Sequence, residues 1–458
     1  MRIPLSWLAE YVELDENATP HDVMAQLVKV GLEEEGAHGG EIRGPVVVGK
    51  VLEFVEEPQS NGKTIRWCQV EVAPGQVNGI VCGARNFFVG DKVVVTLPGA
   101  ALPGGFEIAA RKTYGHVSDG MIASSRELGL SDEHEGILRL ETLGLDPEVG
   151  TDALELLGLN ESAAEVNVTP DRGYCLSIRG IAREYSHATG CKFTDPATKV
   201  LAKKGEGFSV QVVDSAPIHG VQGCSRFFTL GVSGIDAKAQ VPGWMANRLK
   251  LAGMRSISIA VDITNYVMLE LGQPLHAYDA DKLKGGITVR RAAAGEKLVT
   301  LDEKERDLHV EDLLITDESG PIGLAGVMGG LNTEVSDSTT NVLIEAALFD
   351  PISISRSARR HKLPSEASRR FERGVDPQVG AVAAARVAQL LIELAGGELN
   401  GIGSSYVLDS EPIKIELPLA FASELVGVDY ANQEILDILH KIGCELLVHD
   451  DAVTVTPP

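Results

Sequence analysis

Between Pro45 and about Ser125 the apolar residues stop recurring at helical spacing and alternate instead, in runs such as VVVGKVLEFV, RWCQVEV, DKVVVTL and GMIAS. Alternation with a period of two puts successive side chains on opposite faces, so each run reads as a short strand. Pro74-Gly75, Asn78-Gly79, Gly90-Asp91 and Pro103-Gly104-Gly105 punctuate the runs as turns. Five or six strands within roughly 100 residues predict a small closed barrel. Helical spacing flanks this block. One helix is expected from Pro4 through Val12, and a second begins at Thr19-Pro20 and ends at Gly31. It returns at Asp152–Leu157 and Ser177–Ala188, so the barrel reads as an insertion into a domain begun by residues 1–39.

A chain of 458 residues is too long for one core and corresponds to about three domains. The expected fold class is multidomain α+β. Residues 1–39 plus 151–200 form a helical or mixed domain split by the insertion, and residues 40–150 form a barrel of oligonucleotide-binding (OB-fold) size. After a Lys-, Ala- and Gly-rich linker at 194–207, residues 208–400 mix strands with helices at Trp244–Ala252 and Asp262–Leu271. Three helices close that region, starting at Asp350-Pro351, near Pro364, and at Asp376 with Pro377 in the first turn. Residues 401–458 read strand, helix, helix, strands, a winged-helix-like module cut short at Pro458.

Hydrophobic residues make up 44% of the chain and charged residues 23%, proportions of a soluble globular protein. The net charge of -24 argues against global attraction to nucleic acid, although a local basic patch suffices for phosphate contacts. The six cysteines form no C-x-x-C pair, which excludes the usual zinc-knuckle and redox-dithiol spacings. No apolar run approaches the roughly 20 residues that span a bilayer, and the amino terminus lacks a signal-peptide layout. The expected location is the cytoplasm, with neither membrane nor DNA as a partner.

Several residues invite chemistry. In SISIAVDITNYVMLELGQPLHAYD, residues 256–279, an apolar strand is expected to lead into a helix capped by Asp262 and stopped by Gly272. Pro274 then stiffens a loop carrying His276, which either packs against a backbone carbonyl or faces a ligand. Glu345 interrupts NVLIEAALF, a strand otherwise apolar on both faces. Its carboxylate must find a partner, either a nearby arginine or a polar ligand. Arg356, Arg359, Arg360, Arg369 and Arg370 form a basic strip, either a solvated face paired with Glu366 and Glu372 or a surface for RNA or an acidic partner. Asn61-Gly62-Lys63-Thr64 ends like a phosphate loop, but Glu57 stands where its leading glycine is required. No G-x-S-x-G nucleophile elbow is present.

GQPLHAYD, AGVMGG, NVLIEAALFDP and SEASRRFERGVDP occur in that order, after VCGARNF, VTLPGA, SDGMIASSRELGL and NVTPDRGYCLSIRGIARE. Together they resemble the β subunit of bacterial phenylalanyl-tRNA synthetase, from Met1 to Pro458. That resemblance implies a tRNA-binding barrel and an editing module over 208–400 that hydrolyses tyrosine from tRNA(Phe). Aminoacylation with ATP and Mg2+ belongs to the α subunit of an α2β2 assembly. The implied editing residues are Pro274, His276, Gly329, Glu345, Ser365 and Ala367, with Glu345 taking the tyrosine hydroxyl. The family's magnesium ligands would fall just past Pro458, so none is assigned within 1–458. The alternative is a non-catalytic tRNA-binding or assembly protein.

Overall fold

The computed structural model describes residues 1–15, 17–130, 135–201, 203–408 and 411–458. Positions 16, 131–134, 202 and 409–410, which fall within the expected domain and linker spans, lie outside the described residues. The chain is a multidomain α+β protein. Among the described residues no helix is long and apolar enough to cross a membrane.

The amino-terminal segment differs from expectation. Arg2–Pro4 is a strand rather than the start of a long helix, and it pairs antiparallel with Ser162–Asn167, which also pairs with Glu33–Gly39. The Met1 amine donates to the Val166 carbonyl at 2.5 Å. Only one helical turn, Leu5–Leu8, follows. Ladder bonds to a strand about 160 residues away outcompete local helix propensity here, since the backbone groups are satisfied by either route. The next helix, Pro20–Val28, starts as its sequence predicts. Thr19 and Asp22 close a capping box, with proline in the first turn.

The central block forms a five-stranded antiparallel sheet, in the order Met121–Ile122, Lys92–Thr96, Val46–Pro58, Thr64–Ala73, Gln76–Cys82. Alternation has a visible consequence in the Lys92–Thr96 strand. Val93 and Val95 join one apolar cluster, and Val94 joins a second on the opposite face.

The larger core is continuous. It runs from Trp7 and Met24 through Ile181 and Phe227 to Ile263 and Leu391, and the Trp7 ring stacks on Tyr266 at 4.3 Å. Two five-stranded sheets lie in this region. The first has the order Glu206–Gly207, Glu398–Val407, Cys224–Ser233, Asn341–Phe349, Leu275–Asp279. The second has the order Val210–Val213, Ile287–Arg291, Leu313–Asp317, Gly320–Leu324, Met328–Gly329.

Two helix starts move. The helix expected from Asp262 begins at Ile259 after Ser258, and no strand precedes it. Asp262 lies in its first turn, fully buried, and its carboxylate accepts from the Ile257 amide at 2.8 Å and from the Ser256 hydroxyl. The helix expected from Asp376 begins at Gly380. Asp376 instead closes a turn on the Gln378 amide at 2.9 Å and pairs with Arg179 at 2.8 Å. In both cases the aspartate serves the loop before the helix, a competition that short polar side chains often win. The helix Pro351–His361 starts after Asp350 as expected, and Glu366–Arg373 starts near Pro364 as expected, with Ser365 as its cap. The carboxy-terminal segment is a three-stranded sheet with the helices Phe421–Val426 and Asn432–Lys441 over a small core around Val453.

Candidate functional site

Gly272 ends the Ile259–Leu271 helix at φ 85°, a conformation that suits glycine. The buried Gln273 amide then donates to the Pro274 carbonyl at 2.8 Å and the Ala347 carbonyl at 2.9 Å, tying the turn to the neighbouring strand. His276 lies on a strand, Leu275–Asp279, and not on the loop expected after Pro274. That strand pairs antiparallel with Asn341–Phe349 so that His276 faces Glu345 and Tyr278 faces Leu343. Residues directly opposite share a face, as do residues two apart. His276, Tyr278 and Glu345 therefore project to the same side of the sheet.

They project into a pocket of about 450 Å3, open mouth included. Pro274, His276, Gly329, Glu345 and Ala367 all line it, and Leu324, Phe349 and Phe371 supply apolar wall. Ser365 stands behind the wall. Its hydroxyl accepts from the Ser368 amide at 3.0 Å and donates to the Val327 carbonyl at 3.1 Å, bracing a segment that lines the pocket. A Cβ at Gly329 would sit 2.5 Å from Cε1 of His276, so only glycine lets the turn approach the ring. A Gly329→Ala variant is expected to lose about 1–3 kcal/mol from overpacking. The readout is a lower urea midpoint at unchanged slope; a midpoint equal to wild type would contradict the contact.

Burial governs the electrostatics. Glu345 is 5% exposed, and desolvation pushes its carboxyl up to about 7, opposed by a hydrogen bond from Tyr278. The Tyr278 hydroxyl donates to Oε2 of Glu345, and burial followed by that negative neighbour holds the phenol well above its ordinary range. His276 is half-buried overall, but its Nε2 is buried without a hydrogen-bond partner among the described residues. Desolvation lowers the imidazole to about 4, so it is neutral near pH 7. Its ring meets Tyr278 edge to face at 4.5 Å. Oε1 of Glu345 accepts no hydrogen bond among the described residues and, unlike Nε2 of His276, is open to the pocket's space. A mostly apolar slot thus holds one buried nitrogen and one accessible carboxylate oxygen without partners, and polar atoms so placed call for a ligand or a water. The acceptor suits a hydroxyl donor, and the wall suits an aromatic ring.

Tyr278 was missed in the sequence because a loop after Pro274 has no period. As a strand, GQPLHAYD places Tyr278 two residues past His276 and on its face, which is the signal that pointed to it.

The basic strip is divided. Arg356 pairs with Glu311 at 3.0 Å, Arg360 pairs with Glu311 at 2.7 Å and with Asp312, and Arg369 lies 3.9 Å from Glu366. Arg370 does not belong to a surface: it is 1% exposed and donates to the Leu176 carbonyl at 3.0 Å and to Glu366 at 2.7 Å. Its helical phase points it inward, beside buried Phe371. Arg359 is exposed and makes no ion pair among the described residues. Among those residues no three His, Cys, Asp or Glu side chains cluster as a metal ion requires. All six cysteines are free, and only Cys191 is not buried.

Comparison with known proteins bears on this geometry. A family model described as the B3/4 domain matches residues 223–396, the region that contains the pocket, and a model described as a tRNA-binding domain matches residues 46–144. The phenylalanine–tRNA ligase beta subunit of Leifsonia xyli is 64% identical over 476 residues, covering 100% of this chain and 56% of that protein. Its counterparts in Streptomyces avermitilis and Thermobifida fusca are 52% and 51% identical, again over 100% of this chain and 55% of theirs. The chain spans about half the length of the curated relatives it matches. Identity of this order from one end of the sequence to the other means that the chain belongs to the phenylalanine–tRNA ligase beta-subunit family.

Proposed function

We propose that this chain serves as the β subunit of phenylalanine–tRNA ligase and that its pocket hydrolyses tyrosine wrongly esterified to tRNA(Phe). The observation that carries the reading is the free Oε1 of Glu345, set in an apolar slot beside the unpartnered Nε2 of His276. A tyrosine ring fills the slot and its hydroxyl donates to Oε1. Phenylalanine leaves that buried carboxylate unpaired, and a site built to hydrogen-bond a hydroxyl rejects the analogue lacking it strongly. Water attacks the ester carbonyl, the acyl–oxygen bond breaks, and the ribose oxygen leaves with a proton, giving free tyrosine and tRNA. The ester is already activated, so positioning supplies much of the rate. Neutral His276 orients the water or the terminal ribose. Gly329 and Ala367 keep the slot open, Pro274 stiffens its entrance, and Ser365 braces its wall.

Around this site, residues 1–39 plus 151–200 form the split amino-terminal domain. Residues 40–150 form an OB-fold barrel that contacts tRNA, 208–400 the editing domain, and 401–458 a winged-helix-like module. Exposed Arg359 remains the best candidate of the basic strip for an RNA or subunit contact. The partners on this reading are the α subunit, in an α2β2 assembly, and tRNA(Phe), in the cytoplasm. ATP and Mg2+ serve aminoacylation at the α subunit. The carboxylates described here do not assemble a magnesium site, so no step above passes through either group.

The test is deacylation of tyrosyl-tRNA(Phe) and phenylalanyl-tRNA(Phe) by the subunit assembled with its α partner. Selective loss of the tyrosyl ester is expected. Equal survival of both esters would leave the non-catalytic assembly role as the better account.

A further inference from the structure

We propose that Tyr278 is a positioning residue of this pocket: its hydroxyl holds Glu345 through Oε2, so that Oε1 is the acceptor presented to a ligand's phenol. The inference deepens the reading above and rests on it for the identity of the ligand. Tyr278 is fully buried, it lies two residues beyond His276 on the same strand face, and it provides the hydrogen bond that Glu345 receives. A carboxylate has acceptor capacity at both oxygens and, unheld, turns about its terminal torsion, which is broad. With Oε2 engaged by the chain's own phenol, that rotation is blocked and Oε1 points where the ligand arrives. The pocket that selects a tyrosine is thus built around one.

The groups facing Glu345 make the consequence readable. Tyr278 and His276 face it from the Leu275–Asp279 strand, and Cys224 feels its charge from the Cys224–Ser233 strand. Helix Glu366–Arg373 contributes Ala367 and Phe371 to the pocket, and the Met328–Gly329 turn adds no charge. Burial raises the carboxyl, and the Tyr278 hydrogen bond is what acts against it. A hydrogen bond donated to the charged form favours that form, so removing it moves the titration upward.

In a Tyr278→Phe variant of this chain, the Glu345 carboxyl band in infrared titration, identified by its absence from Glu345→Gln, should have its midpoint raised by about one pH unit. With the α subunit, the acid limb of tyrosyl-tRNA clearance should move by the same amount, lowering clearance at pH 7 about fivefold to tenfold and restoring it at pH 9. A tyrosine that merely packs would change thermal stability and leave both midpoints in place, and that result overturns the proposal. Should the variant fail to fold, fluorotyrosine incorporated at all 8 tyrosines makes a stronger donor. The midpoint should then fall, and an unmoved midpoint again overturns the proposal. An infrared shift in a protein that clears no tyrosyl ester would refute the editing function while leaving the Tyr278–Glu345 coupling intact.

Discussion

Replacing Glu345 with alanine is expected to slow tyrosyl-tRNA(Phe) clearance about 10- to 100-fold while phenylalanine charging stays near wild type. The magnitude follows from the lost contact. A hydrogen bond to a charged group contributes about 1.5–3 kcal/mol, and about 1.4 kcal/mol is a tenfold change. Discrimination should fall further than rate, because the penalty that rejects phenylalanine is the unpaired carboxylate itself, and alanine removes it. Single-turnover deacylation of both esters reads the two effects separately. Clearance unchanged in the variant would remove Glu345 from the site.

The second large effect is on stability. Glu345 titrates near 4.5 when solvated and at about 7 in the folded chain. Between those values the folded state holds a proton that the unfolded state has released, so the stability present below pH 4.5 is lost as pH rises through 7. The gap corresponds to about 3 kcal/mol. His276 acts in the opposite direction. Its folded value of about 4 lies below the ordinary 6.5, so the stability it contributes above pH 6.5 is lost as pH falls towards 4. The two largely offset each other between pH 4.5 and 6.5, and above that only the carboxyl titrates. A Glu345→Gln variant should therefore gain about 3 kcal/mol on wild type between pH 5 and pH 8, measured by urea unfolding at a series of pH values. Parallel curves for the two proteins across that range would mean that Glu345 is not desolvated as the fold places it. The same carboxylate is costly to bury and useful to keep, a common pattern at functional sites.

Local signals were legible where a motif satisfies itself. The helix starts at Thr19-Pro20 and Asp350-Pro351 and the Gly272 stop appear where the residues predict them. They depend on neighbours three or four positions away. Glu345 was legible as a carboxylate buried in an apolar strand, although the residues left open whether an arginine or a polar ligand satisfies it. Among the described residues no arginine pairs with it, and its hydrogen bond comes from Tyr278. The failures share a cause as well. Asp262 and Asp376 look like caps, yet each satisfies a loop whose path is set by distant contacts, in the latter case Arg179. Arg370 looks like surface charge until helix Glu366–Arg373 packs against residues 170–175 and turns it inward.

Local patterns were enough for the alternation of strands and helices, most helix ends and the presence of an unusual carboxylate. Those properties are written in spacing, which each segment carries alone. Pairing of distant strands alone put His276 on a strand, directly opposite Glu345, with Tyr278 touching both. These relations need two segments 67 residues apart to pair in one register. Since a slip of one residue would send every side chain to the other face, the pocket exists only once that pairing is made.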